Sequence, residues 1–165
     1  MESDYQSLFQ VRLANYDDIP AIMNITREAF VKYQQMSGVE KLAALEESYN
    51  DVKKEIDTKV VLLALSDGEP VGSVRVEVFP DKTAYLSRFA VKVTSQNNGI
   101  GKSIMNLVDK IMVKKGVTQI QLHTGSKITS LIRFYYGRGF YIDSTDKSRG
   151  YVRALLIKEY QKKDC

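Results

Sequence analysis

The sequence predicts a single α/β domain: a mixed, mostly antiparallel sheet of six or seven strands flanked by about four helices. Three observations support this prediction. The chain has 165 residues, of which 44% are hydrophobic and 27% charged, as in one compact globular domain. Apolar residues recur at helical spacing in some segments and alternate with polar residues in others. Short turns join three consecutive strand segments, which is typical of an antiparallel meander.

The N-terminal part of the chain is predicted to form one strand and two helices. Residues Phe9 to Leu13 alternate between apolar and polar, as a half-buried strand does. Asn15 and Asp17 offer N-cap oxygens to a helix that begins near Pro20. Its apolar face contains Ile19, Ile22, Ile25, Ala29, Phe30 and Tyr33. After an interruption at residues 36–38, a second helix is expected, with an apolar stripe of Leu42, Leu45, Tyr49, Val52 and Ile56.

The middle of the chain changes to a strand pattern. A β-branched, apolar run from Lys59 to Leu65 ends at the turn sequence Asp67-Gly68-Glu69-Pro70. Val71 to Phe79 alternates with period two, and Pro80-Asp81-Lys82 marks the next turn. The third strand is predicted from Thr83 to Val93. Three strands joined by such short turns predict antiparallel neighbours.

The C-terminal half alternates between helices and strands. A helix is predicted from Ile100 to near Gly116, and a strand from Thr118 to Thr124. Lys127 to Arg138 is predicted to be helical, and Phe140 to Asp143 and Tyr151 to Ile157 to form a final pair of strands. The resulting order is β-α-α-β-β-β-α-β-α-β-β. Because no linker, repeat or low-complexity stretch interrupts it, residues 1–165 are predicted to be one domain.

The turn between the third meander strand and the following helix is predicted to bind a phosphate group. It spans Gln96 to Ser103, with the sequence Gln-Asn-Asn-Gly-Ile-Gly-Lys-Ser. A helix N-terminus leaves about four backbone N–H groups unpaired, and its dipole favours negative charge. Gly99 and Gly101 allow a bulky anion to approach the backbone closely, and Lys102 adds a positive charge. These features together suit a pyrophosphate.

Two common phosphate-binding sequences do not fit this turn. A Walker A loop requires glycine at position 96, where Gln96 stands. The dinucleotide fingerprint requires glycine at position 104, which is Ile104. Both also belong to parallel βαβ sheets, whereas this turn follows an antiparallel meander. The remaining interpretations are a different phosphate site and a purely structural glycine turn.

The pattern that remains is Gln-x-x-Gly-x-Gly, at residues 96–101. Leu86 to Val91 precedes it as a strand, and Tyr135 to Phe140 supplies a later Tyr-x-x-x-Gly-Phe segment. With Val11 to Ala14 and Asp17 to Ile19 at the N-terminus, these segments resemble the GNAT superfamily of N-acetyltransferases. The resemblance covers roughly residues 10 to 158 in matching order. It implies a GNAT-like fold, acetyl-CoA as co-substrate, no metal, and acetyl transfer to a primary amine by direct attack.

The resemblance also implies where the cofactor lies. Backbone groups of residues 89–91 would face the pantetheine arm and the acetyl carbonyl, and those of residues 96–103 the pyrophosphate. The third and fourth helices would flank the cofactor at a point where the fourth and fifth strands splay apart. The implied cofactor-binding residues are Phe89, Ala90, Val91, Gln96, Asn97, Asn98, Gly99, Ile100, Gly101, Lys102, Ser103, Thr124 and Tyr135. Ile128 and Leu131 replace the asparagine and alanine that many family members carry, so one side-chain contact is expected to be lost.

Aminolysis of a thioester requires a neutral amine, a stabilised carbonyl oxygen and a proton for the departing thiolate. Tyr135 matches the family's usual general acid, four residues before Gly139. The alternative for Tyr135 is a packing role. That role is expected for its neighbour Tyr136, which on a helix points about 100° away.

The group that accepts the amine proton is less well defined. The fourth strand, residues 84–89, lacks the glutamate that many family members carry. Glu77 is the predicted base, acting through water, because it lies on the preceding strand on the same face as Arg75. Glu77 is alternatively half of a solvated cross-strand charge pair. His123, the only histidine, has a suitable pKa range, or is a surface residue at a strand end.

The acceptor is predicted to be a small-molecule or peptide amine that binds near the first two helices and their connection, residues 33–39. Glu46 and Glu47 either attract a cationic amine or are solvated. Polyamines, amino acids, antibiotic amines and protein amines all remain candidates. The family's frequent dimers suggest a homodimer. The functional alternative is a non-catalytic sensor that binds acetyl-CoA or CoA.

Charge and composition bear on partners and location. The net charge is +4 and the pI about 9.0, but the longest unbroken Lys/Arg runs are pairs, so no nucleic-acid partner is predicted. No apolar run approaches the ~20 residues of a membrane helix. Met1 to Tyr5 lacks the features of a secretory signal, and the single cysteine is Cys165. These observations predict a cytoplasmic protein without a membrane partner.

Overall fold

The computed structural model describes residues 9–96 and 98–160. Predictions made for Met1 to Tyr5, Asn97 and Cys165 concern residues outside these ranges. The described residues form seven strands and four α-helices in the predicted order. The strands are β1 (Phe9–Leu13), β2 (Val60–Ser66), β3 (Glu69–Val78), β4 (Thr83–Val91), β5 (Gln119–Gly125), β6 (Tyr141–Asp146) and β7 (Arg153–Glu159). The helices are α1 (Ile19–Ser37), α2 (Tyr49–Thr58), α3 (Ile100–Lys114) and α4 (Thr129–Gly137).

All seven strands belong to one sheet in the order β1-β2-β3-β4-β5-β7-β6. The predicted meander is β2-β3-β4, and every neighbouring pair is antiparallel except β4 and β5. The parallel pairing of β4 with β5 extends only from Thr83 to Tyr85 on one strand and from Gln119 to Gln121 on the other. Beyond Tyr85 the two strands diverge, which confirms the expected splay. Within residues 9–96 and 98–160, the edge of β4 that faces β5 therefore has no strand partner from Leu86 onward.

A β-bulge in β4 lies beside this opening. Ser73 of β3 pairs with Ala90, whereas Arg75 pairs with Ser87, so β4 contains one extra residue in this stretch. Arg88 has a φ of 52°, in the left-handed region that non-glycine residues seldom adopt. Because of the bulge, Ala84 and Leu86 face α3, whereas Ala90 faces α1.

The helices cover both faces of the sheet. Helix α3 and the segment from α4 to Phe140 pack on one face, where the apolar positions of α3 meet Val74, Leu86, Ile120 and Leu122. Helices α1 and α2 pack on the other face, over Val61 and Leu63. The apolar stripes predicted from helical spacing account for these contacts. Among the described residues, no helix has the length and hydropathy required to cross a membrane.

The prediction for the second helix was wrong at its N-terminal end. Residues 43–45 form a separate 3-10 turn, and α2 begins only at Tyr49. The side chain of Ser48 accepts a hydrogen bond from Asp51 N–H at 3.1 Å, and Asp51 accepts one from Ser48 N–H at 2.8 Å. This capping box fixes the start of the helix. Leu42 and Leu45 therefore do not belong to its apolar stripe.

Arg75 and Glu77 share a face of β3 but have different partners. Arg75 is fully buried, and its guanidinium bonds Glu47 at 2.5 and 2.9 Å and Glu55 at 3.2 Å. Glu77 is partly exposed and lies 4.0 Å from Lys59. Strand alternation correctly assigned Arg75 to the face opposite the valines. It did not indicate that α2 and the segment preceding it cover that face.

Candidate active site

A cavity of about 500 Å³ lies between α1, the end of β4, the glycine turn and α4. Seven of the residues predicted to bind the cofactor line it: Phe89, Ala90, Val91, Gln96, Gly99, Gly101 and Lys102. The segment predicted for the acceptor contributes Tyr33 and Met36 to the same wall. Sequence reasoning missed three further cationic lining residues, Lys32, Arg133 and Arg138. They lie on helices, where a surface lysine or arginine is too common to indicate a site.

The glycine turn leaves the N-terminus of α3 open. Gly99 has a φ of 81° and directly precedes the helix, and no side chain in the described part of the chain caps the helix there. Ile100 is buried, so it offers the turn only its backbone. The N–H groups of the first turn are therefore available to an anion. An alanine at position 99 would be strained because φ is positive.

The side chain of Gln96 connects the glycine turn to β4 and to α1. Its side-chain N–H donates to the carbonyl of Val91 at 3.2 Å, and its Oε1 accepts from Lys32 Nζ at 3.0 Å. The glutamine of the pattern thereby joins β4 to α1 at the rim of the cavity. Its side chain holds the shape of the turn through these two contacts.

Gly101 lies against two stacked aromatic rings. A Cβ atom at this position would lie 3.1 Å from Cζ of Phe89 and 3.3 Å from Cζ of Phe134. The rings of Phe89 and Phe134 are stacked, with centroids 5.3 Å apart and an interplanar angle of 17°. A side chain at position 101 would therefore require the two rings to move by a few tenths of an ångström.

Tyr135 lies behind that wall. It is only 5% exposed, and its ring makes edge contacts with Phe89, Phe134 and Phe140. Burial raises the pKa of its hydroxyl above the usual value of a phenol. Tyr136, in contrast, is half-exposed, and its hydroxyl accepts from the N–H of Ile142 at 3.4 Å. The neighbouring tyrosines thus face different environments, as their helical spacing implies.

Three other predicted positions lie near the end of β5 and the start of α4. Thr124 is buried in the last part of β5 and does not line the cavity. Ile128 is also buried, and its side chain lies close to Gly125. Leu131 lines the cavity and adds apolar surface where many family members carry alanine.

Tyr85 and His123 form a pair on the same face of the sheet as α1 and α2. The hydroxyl of Tyr85 and Nδ1 of His123 are 2.5 Å apart. Burial lowers the pKa of His123, and the positive charges of Arg153 and Arg149 lower it further, against the opposing effect of Asp146. His123 is therefore neutral at neutral pH. Sequence reasoning missed Tyr85, although its place beside His123 on the adjacent strand could have indicated the pair.

Tyr33 bridges the opening between the splayed strands. Its hydroxyl accepts a hydrogen bond from Gly125 N–H at 2.8 Å and lies 2.9 Å from the hydroxyl of Tyr151. Burial and the neighbouring Tyr151 raise the pKa of Tyr33. Through this residue, the cavity wall on α1 is joined to the end of β5 and to the segment that leads into β7.

Glu46 and Glu47, the carboxylates considered for acceptor binding, both lie next to cationic side chains of the chain itself. Glu47 bonds the buried Arg75 and lies 3.5 Å from Nε of Arg88. Glu46 lies 3.6 Å from Lys41, and both side chains are exposed. Glu47 is therefore a structural partner of two arginines, and neither carboxylate projects into the cavity.

Across residues 9–96 and 98–160, no group of three or more His, Cys, Asp or Glu side chains is arranged to hold a metal ion. The cavity instead suits a long anionic molecule with an apolar middle. Lys32, Lys102, Arg133 and Arg138 supply positive charge on its wall, and the open N-terminus of α3 supplies N–H donors. Phe89, Phe134 and Leu131 supply the apolar surface. The residues present therefore fit coenzyme A.

A sheet that splays between parallel β4 and β5, with a glycine turn and a cationic cavity at the opening, is the arrangement of an acetyl-CoA-dependent N-acetyltransferase. The chain belongs to the acetyltransferase (GNAT) family, whose model matches residues 19–140. The protein is thus an acyltransferase that uses acetyl-CoA.

Curated relatives and solved structures agree with this assignment. The chain is 24% identical over 149 residues to a spermidine N(1)-acetyltransferase of Thermoplasma acidophilum, covering 84% of this chain and 92% of the relative. It is also 24% identical over 149 residues to the uncharacterized protein YyaT of Bacillus subtilis, covering 90% and 93% of the two chains. A crystal structure of PaiA N-acetyltransferase from Thermoplasma acidophilum with coenzyme A superposes with a TM-score of 0.81, at 22% identity, covering 92% of this chain and 99% of that one. At these identities the structural likeness concerns the fold.

Proposed function

We propose that the protein transfers the acetyl group of acetyl-CoA to a primary amine by direct attack in a ternary complex. The observation that carries this proposal is the cavity, which joins the unpaired edge of β4 to the cationic glycine turn. Backbone groups on the free edge of a strand readily pair with an extended, amide-containing chain. Residues 89–91 would hold the pantetheine arm in this way, and the N-terminus of α3 the pyrophosphate.

The reaction forms one bond and breaks one. The neutral amine nitrogen bonds to the acetyl carbon, the carbon–sulfur bond breaks, the nitrogen loses a proton, and the sulfur gains one. The products are an acetamide and the CoA thiol. This chain must therefore supply a route for a proton from the nitrogen and a proton for the sulfur.

Tyr135 is the proposed proton donor to the sulfur. Its ring packs directly behind Phe89 and Phe134, which line the cavity. A phenol is protonated at neutral pH, and because burial raises the pKa of Tyr135 above its usual value, the hydroxyl holds its proton more tightly than a free phenol does.

His123 is a better candidate than Glu77 for the proton acceptor. On β3, Ser73 pairs with Ala90, which lines the cavity. Glu77 lies four residues farther along the same strand, where it pairs with Tyr85. At the usual strand rise this separation is roughly 13 Å. His123 lies two residues farther along β5 than Gln121, the partner of Tyr85, and so lies nearer the opening. The base would act in the tautomer that carries its proton on Nδ1, toward Tyr85, and leaves Nε2 free.

A thiol-release assay with a panel of amines tests the proposed function. The full chain with acetyl-CoA is expected to release CoA thiol only when an acceptor amine is present, and mass spectrometry is expected to show an added acetyl group on that amine. Acetyl-CoA binding without thiol release for any class of amine would contradict catalysis. It would favour the sensor alternative.

A further inference from the structure

Resting on the proposed function, we propose that the acceptor is an amine that also carries a carboxylate, as in an amino acid or an acidic peptide. The structure assigns recognition of this carboxylate to a cluster of three arginines beside the opening between β4 and β5: Arg88 on β4, Arg153 on β7, and Arg149 in the turn that precedes β7. This cluster is hereafter called the arginine face.

The arginine face adjoins the cofactor cavity through Tyr33. Tyr33 lines the cavity, and its hydroxyl lies 2.9 Å from that of Tyr151. Tyr151 lies between Arg149 and Arg153 in the chain, so this segment reaches the mouth of the opening. Arg153 pairs with Gly125 at the end of β5, on the same face as His123. An acceptor held here can place its amine between the two splayed strands.

Positive charge on this face exceeds the negative charge available to neutralise it. Arg153 lies 3.6 Å from Asp146, and Arg88 lies 3.5 Å from Glu47, which is bonded more closely by the buried Arg75. Arg149 is exposed, and within residues 9–96 and 98–160 no carboxylate lies within 4.0 Å of it.

The charges of Arg153, Arg149 and Arg88 all act on the hydroxyl of Tyr85. They lower its pKa, although burial has the larger, opposite effect. The negative charge of Asp146 raises the pKa of His123. The carboxylate of Asp146 already accepts two hydrogen bonds from Ser148 and lies 3.6 Å from Arg153. The pair that faces the opening is therefore in a positive field.

A positive field repels a polycation and attracts an anion. Arginine adds directional N–H donors that match the two oxygens of a carboxylate. Glu47, the nearest candidate for binding a cationic amine, is held by Arg75 and Arg88. The charges therefore favour an acceptor whose amine is accompanied by a carboxylate over a polyamine such as spermidine.

Paired acceptors that differ only in the carboxylate test the proposal. Lysine is compared with cadaverine, and ornithine with putrescine, in the thiol-release assay with the full chain. Spermidine and short peptides with glutamate or glutamine after the N-terminal residue complete the panel. The carboxylate-bearing member of each pair is expected to have a kcat/KM at least about tenfold higher, as for one charge-assisted hydrogen bond. The peptide arm separates a free amino acid from an acidic peptide as the source of the carboxylate.

Arg149→Ala is the variant that reports on the arginine face. It is expected to raise KM for lysine about tenfold and to lower KM for cadaverine, because it removes both a partner of the carboxylate and a charge that repels the second amine. Lys147→Ala is the matched control, since it removes one positive charge from the same exposed turn. The lysine-to-cadaverine ratio is expected to stay as in the wild type for this control.

A binding measurement separates failure of this proposal from failure of the proposed function. Calorimetry in the presence of CoA compares lysine with cadaverine and needs no turnover. Tighter binding of lysine, lost in Arg149→Ala, supports the arginine face even if no amine is acetylated. Equal or tighter binding and turnover of cadaverine or spermidine would overturn the proposal while leaving acetyl transfer to an amine intact. An unchanged preference in Arg149→Ala would also overturn it.

Discussion

Replacing Arg75 with alanine is expected to destabilise the protein strongly. The guanidinium is 0% exposed, and it is bonded by Glu47 and Glu55, whose side chains are 12% and 22% exposed. Removing one partner of a buried ion pair typically costs about 3–5 kcal/mol because the other charges lose their compensation. For a domain of this size, such a loss lowers Tm by roughly 6–20 °C.

Urea unfolding followed by circular dichroism measures this change in the free energy of unfolding. Lys41→Ala is the control, because its pair with Glu46 is exposed, and its cost is expected to be below about 1 kcal/mol. Arg75→Met preserves most of the side-chain volume and so separates loss of charge from loss of packing. A double-mutant cycle of Arg75→Ala and Glu47→Ala is expected to show a coupling energy above about 1 kcal/mol. A cost for Arg75→Ala no larger than that for Lys41→Ala would refute the reasoning.

Three further substitutions test the site. Tyr135→Phe is expected to lower kcat about 100-fold with little change in Tm, because only the hydroxyl is removed, and unchanged turnover would exclude Tyr135 as the acid. His123→Gln is expected to remove the acidic limb of the pH–rate profile. That limb lies below pH 6.5 because the lowered pKa of His123 keeps the base neutral above it, and a limb that persists in the variant belongs to another group. Gly101→Ala is expected to lower the free energy of unfolding by about 1–3 kcal/mol and to weaken acetyl-CoA binding in calorimetry, because the added Cβ would lie 3.1 Å from Cζ of Phe89. Wild-type values for both measurements would show that the rings yield without cost.

The order and type of the elements could be predicted from the sequence because each rests on local patterning. The apolar spacing from Ile100 to Met112 gives α3, and period-two alternation gives β3. Gly99 indicated the turn because its positive φ is a local backbone requirement, whereas Gly101 meets a tertiary one, the approach of Phe89 and Phe134. The family resemblance then supplied the splay between β4 and β5.

Features that depend on which elements cover one another could not be predicted in this way. Alternation assigned Arg75 to the face opposite the valines, but it did not indicate that α2 and the segment before it bury that side chain. The Tyr33–Tyr151 contact joins residues 118 positions apart, on elements whose contact no local pattern indicates. The roles assigned to Tyr135 and to the cofactor-binding residues stay predictions, as do the homodimer, the absence of a nucleic-acid partner and the cytoplasmic location.

The central claim is that acetyl-CoA binds between α1, the end of β4 and α4, with its pyrophosphate at the glycine turn. A crystal structure of the full chain with bound CoA tests this claim most directly. We predict the pantetheine arm along residues 89–91 and the pyrophosphate at the N-terminus of α3, within hydrogen-bond distance of backbone N–H groups. CoA bound elsewhere on the protein, or a pyrophosphate held away from residues 98–103, would contradict the account.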